Sequence, residues 1–163
     1  EKIGGIVAKI ASPLLNIIYP EISTKVSEEK EKEAVSLVRK LFFIIILFGS
    51  LIIVFLSLTY KLWINILIFN GEKYVLNVLF YVLFVIIKFS FVGVYPLFIS
   101  LGYIKYNVYI VVIANLIYLG VIPFFSSNFN INGVIISQCI QVFIVIFMQI
   151  LIMKKGFISR AKL

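Results

Sequence analysis

The chain has 163 residues, 63% of them hydrophobic, and a mean hydropathy of +1.15, far above the roughly 45–50% apolar content of soluble domains. A soluble core cannot hide the 48 residues from Tyr106 to Met153, none of which is charged, when about 20 apolar residues cross a bilayer. The net charge of +8 comes from basic residues at the ends of apolar runs, which the positive-inside rule explains without nucleic acid.

These features predict an all-α, polytopic transmembrane helix bundle of about five spans. Histidine and aspartate are absent, which removes the commonest general base, the commonest nitrogen ligand for metals and any Ser-His-Asp arrangement. No enzyme activity, metal or cofactor is expected. Cys139 is the single cysteine, so no disulfide forms within the chain. The first residue is Glu1 and no basic n-region precedes an apolar core and cleavage site, so the chain reads as part of a longer protein.

Residues 3–19 form a partial span carrying a polar stripe of Lys2, Gly5, Lys9, Ser12 and Asn16 at three- and four-residue steps. Pro13 predicts a kink in it. Residues 20–40 are a charged, helix-friendly linker in which Glu28 and Lys32 have the favourable i, i+4 spacing. Residues 41–60 carry no charge and form the clearest span, with Gly49 and Ser50 offering a close helix contact. Residues 61–73 are a short interfacial extension that holds Trp63 and is followed by Tyr74.

The next span, 74–103, has Lys88 near its middle. A lysine at the centre of a spanning helix costs about 2.5–3.5 kcal/mol on insertion scales, so it faces a bundle interior or a wet cavity. Asn77, Tyr81, Phe84, Phe91 and Tyr95 fall on the same side of an unbroken helix. The expected cavity residues are Lys88, Lys9, Tyr81, Tyr95 and Asn77. Gly93 and Pro96 predict a kink or unwinding in the second half of this span.

GYIKYN at 102–107 is a tight turn, so the helix at 107–125 returns antiparallel and adjacent. An uncharged turn cluster at 126–132 precedes the last span, 133–153, and a basic tail at 154–163. Asn115, Gln138 and Gln141 are expected to hydrogen-bond between helices. With the 20–40 linker and C-terminus placed in the cytoplasm, that side holds Lys25, Lys30, Lys32, Arg39, Lys40, Lys105, Lys154, Lys155, Arg160 and Lys162, against Lys61 and Lys73 outside.

The order of features resembles the C-terminal part of a polysaccharide transporter, the O-antigen or lipid-linked oligosaccharide flippase type of the multidrug, oligosaccharidyl-lipid and polysaccharide exporter superfamily. The stretches that carry the resemblance are SPLLNIIYPEIS (12–23), ILIFNGEKY (66–74), GYIKYN (102–107), ANLIYLGVI (114–122) and FNINGVIISQCI (129–140). It implies one incomplete lobe of a two-lobed transporter, completed by an N-terminal lobe. It also implies alternating access for a lipid-linked anionic glycan, with Lys9 and Lys88 meeting the anionic group. The alternatives are a drug or small-molecule exporter of the same superfamily and a non-catalytic membrane subunit of a glycan-assembly complex. A membrane-embedded polymerase or acyltransferase fits poorly, since this chain offers no histidine or aspartate.

Overall fold

Long runs of Ile, Leu, Val and Phe away from water must satisfy their backbone polar groups internally, which a helix does. The computed structural model describes residues 16–67 and 71–160, and these contain helices and no strand. In chain order they are α1 (16–27), α2 (Glu31–Leu58), α3 (Tyr60–Leu67), a 3-10 turn (Gly71–Tyr74), α4 (Val75–Ser90), α5 (Val94–Ser100) and α6 (Ile104–Arg160). Among the described residues three stretches are long and apolar enough to cross a membrane: Glu31–Leu58, Gly71–Ser100 and Ile104–Gly156.

The third of these is a hairpin. Asn130 leaves the helix at φ 51, ψ −128, the first corner of a type II′ turn, a position that glycine and asparagine accept best. Gln149 donates to Asn107 at 2.9 Å, and Gln141 donates to Asn115. The midpoint of 107 and 149 and that of 115 and 141 are both residue 128, so the two arms run antiparallel in one register. Gly133 permits the close return, because a Cβ there would run into the Phe125 carbonyl and come within 2.8 Å of the Ser126 nitrogen.

The turn expected over 126–132 is thus reduced to one residue. Ser126, Ser127 and Asn128 return their side chains to the carbonyls of Pro123 and Phe124, so these polar groups are satisfied locally while the chain stays helical up to the corner.

The charged stretch 20–40 also divides differently from its reading as one linker. A turn at 28–30, with Glu29 at φ 62, ends α1, and residues 31–40 are the first turns of α2. This places Glu28 and Lys32 on either side of the turn and corrects their expected pairing. Lys30 pairs with Glu28 at 2.8 Å and Lys25 with Glu33 at 2.9 Å. Hydrogen bonds to these carboxylates hold the Lys25 and Lys30 ammonium groups above their ordinary value of 10.5.

Away from water, apolar burial does not drive helices together, so close backbone approach and dispersion must. At Gly49 the α2 backbone lies directly against Ile86 of α4, where a Cβ would overlap the isoleucine side chain. At Gly93 a Cβ would stand 3.2 Å from Val38. Ser50, paired with Gly49 in the sequence reading, bonds back to the Ile46 carbonyl of its own helix.

The span at 74–103 breaks where Gly93 and Pro96 indicate. α4 stops at Ser90, the Val94 amide bonds the Phe91 carbonyl at 3.0 Å, and Pro96 falls in the first turn of α5, where its missing N–H forfeits no helical bond. Gly102, at φ 88, then turns the chain into α6.

Two apolar clusters result. Ile18 and Ile22 of α1, Ala34 of α2, and Leu97 and Phe98 of α5 meet Ile110 and Met153 from the two arms of α6. Further along, Phe84 and Val85 of α4 pack on Ile135 of α6. The outer face of α2, with Phe43, Leu47, Phe48, Phe55 and Leu58 exposed, is apolar as a lipid-facing surface is.

Candidate functional site

A groove of about 410 Å³ lies between α4 and the α6 hairpin, within the range of small-ligand sites, roughly 300–1,000 Å³. α4 contributes Tyr81, Phe84, Val85, Lys88 and Phe89, four of which recur at i, i+3, i+4 and i+7 and so share one helix face. The second arm of α6 contributes Gln138, Gln141 and Val142, and the first arm contributes Tyr118. The hairpin register explains that arrival, since 118 and 138 also have their midpoint at 128.

Gln138 and Gln141 lie 8 and 11 residues beyond Asn130, about 12–17 Å along the arm at a rise of 1.5 Å per residue. That is close to half the roughly 30 Å hydrocarbon thickness of a bilayer. Gln141 is tied to Asn115. Among the described residues the Gln138 amide and the Tyr81 and Tyr118 hydroxyls make no side-chain hydrogen bond, so each retains its capacity for a ligand.

Lys88 is exposed and occupies the last turn of α4, where the negative end of the helix dipole contributes about 0.3–1 kcal/mol. Against an insertion cost of about 2.5–3.5 kcal/mol, the dipole leaves most of the charge unmatched. Among the described residues no carboxylate lines the groove and none pairs with Lys88. All seven acidic residues of the chain stand at or before Glu72. The groove therefore presents one uncompensated cation, free amide and phenol groups, and an apolar floor. It has the donors to hold an anion and adjacent hydroxyl groups, and no acid–base pair or activated nucleophile among its lining residues.

Of the residues singled out from sequence, Lys88 and Tyr81 share this groove. Asn77 is half-buried on α4 and is not among the lining residues; it sits on the Lys88 face but three turns earlier. Tyr95 is half-exposed and also outside the lining, because the break at 91–93 interrupts the helical count that carried it from Lys88. Lys9 lies outside the described residues. Asn115 and Gln141 form the expected interhelical bond, whereas Gln138 does not.

Comparison with family models, with curated proteins and with solved structures finds no match for this chain.

Proposed function

We propose that this chain is part of a membrane transporter that moves an anionic lipid-linked oligosaccharide across the cytoplasmic membrane by alternating access. The observation that carries the reading is Lys88, a cation without an ion-pair partner among the described residues, in a groove whose described lining holds no carboxylate. A phosphate or acidic sugar supplies the missing counter-charge, and Tyr81, Tyr118 and Gln138 offer stacking faces and hydrogen bonds to sugar hydroxyls. The helix break at 91–93 and the corner at Asn130 supply places where the groove walls can pivot. In this reading the groove is one wall of a cavity completed by a second lobe, with residues 20–40 and the C-terminus on the cytoplasmic side.

The test is Lys88→Ala and Lys88→Arg in the complete protein, read by translocation of lipid-linked glycan in vesicles. A hydrogen bond to a charged group contributes about 1.5–3 kcal/mol, so Lys88→Ala lowers transport at subsaturating substrate at least about tenfold. Lys88→Arg retains most of it, and the membrane level of both variants is unchanged. Normal transport by Lys88→Ala at normal membrane level overturns the proposal.

A further inference from the structure

Asn115 and Gln141 tie the two arms of α6 together beside the groove, but only one of them belongs to it. Gln141 lines the groove and Asn115 does not. The Gln141 Nε2 donates one of its two hydrogens to the Asn115 Oδ1. The other N–H and the carbonyl oxygen of Gln141 have no partner among the described residues. Gln138, also in the lining, makes no side-chain hydrogen bond and so remains free to rotate its amide. Gln141, held at its nitrogen, cannot exchange its donor and acceptor ends.

The fixed carboxamide therefore offers the groove one donor and one acceptor on a single planar group. An ionised carboxylate or phosphodiester has acceptors only and satisfies one of the two. A pair of neighbouring hydroxyls satisfies both, one donating to the carbonyl oxygen and the other accepting from the N–H. Lys88 lines the same groove from α4, so the anion and the diol are served from opposite walls. Ordering a free side chain on binding costs about two- to tenfold in affinity, and the bond to Asn115 removes that cost in advance. The other tie, Asn107 with Gln149 at 2.9 Å, joins the same arms, yet neither residue lines the groove.

We infer that Asn115 is a positioning residue that fixes the Gln141 carboxamide as a reader of neighbouring sugar hydroxyls, an inference that rests on the glycan-binding role proposed above for the groove. Gln141 touches the sugar, and Asn115 acts through it.

The experiment is equilibrium binding of two labelled probes to the complete protein in nanodiscs, with empty nanodiscs subtracted. Farnesyl phosphoryl glucose and farnesyl methyl phosphate carry the same chain and the same single charge, and only the first has hydroxyls. Wild type favours the glucosyl probe by about tenfold, the effect of one or two neutral hydrogen bonds. Asn115→Leu weakens the glucosyl probe by about two- to tenfold and leaves the methyl probe unchanged, which also shows that the groove is intact. Gln141→Leu loses at least as much, and N115L/Q141L loses no more than Gln141→Leu alone, as coupled residues require. Asn107→Leu keeps the wild-type preference. Lys88→Ala weakens both probes alike; undiminished binding of both by that variant overturns the anion role of Lys88 and leaves the difference between the probes standing. The inference itself is overturned by a wild type that does not favour the glucosyl probe. It is equally overturned if Asn115→Leu weakens both probes alike or neither, if the losses add in N115L/Q141L, or if Asn107→Leu shows the same selective loss.

Discussion

Replacing Gly133 by alanine adds one methyl group at the tightest point of the hairpin. The obstacle is main chain, the Phe125 carbonyl and the Ser126 nitrogen, so no side-chain rotation can make room. Overpacking costs about 1–3 kcal/mol, and a backbone obstacle places this case near 3. Alanine regains up to about 1 kcal/mol through its better helix propensity. The net penalty on hairpin closure is therefore about 2 kcal/mol, a shift of roughly 30-fold between closed and open arms. Spin labels at Tyr109 and Phe147, exposed residues whose midpoint is again 128, report arm separation in a Cys139→Ser background. Through an SDS titration, Gly133→Ala opens at a lower SDS fraction than the parent. Gly120→Ala is the matched control, because nothing lies within 4 Å of a Cβ built there; it keeps or raises the parental midpoint. Coincident titrations for the two alanine variants would refute the reasoning.

Gly49→Val tests the α2–α4 contact. The added side chain collides with Ile86 and destabilises the folded protein by about 1–3 kcal/mol. Ile86→Ala in the same chain restores a large part of that loss, a non-additivity expected only of touching residues. At the α1–α2 turn, Glu33→Gln lowers the Lys25 titration towards 10.5, because the hydrogen bond to Glu33 is what raises it. Carbon-13 shifts of labelled lysines measure this directly. By linkage, the Lys25–Glu33 contribution to stability is complete between the ordinary values of 4.5 for Glu33 and 10.5 for Lys25; it is lost as the pH rises through the raised Lys25 value or falls through the lowered Glu33 value. Weakening of the turn on moderate acidification to pH 6 would contradict that sign.

The helical class was legible because the runs at 41–60 and 106–153 leave no soluble alternative. The break near Gly93 and the turn at Gly102 were legible because these residues act locally on the backbone. What escaped the sequence reading was long-range. Tyr118 enters the groove only through a register set by Asn107, Asn115, Gln141 and Gln149 together. Tyr95 leaves it because a helical count does not survive a three-residue break. Glu28 and Lys32 had the right spacing for a helix that Glu29 ends between them. Lys88 itself was visible as a charge out of place, but its position in the last turn of α4 depended on where that helix stops.

The hairpin register also bears on how the chain enters the membrane. A segment with lysines at both ends and none between, Lys105 to Lys154, carries no charge that must cross the bilayer, so both arms can be inserted together with their basic ends left behind on one side. The Asn115–Gln141 and Asn107–Gln149 bonds satisfy amides that each arm, arriving alone, would expose to hydrocarbon. The two arms are therefore matched as a pair: a first arm without the second leaves the Asn107 and Asn115 side-chain oxygens without the Gln149 and Gln141 amides that they accept from.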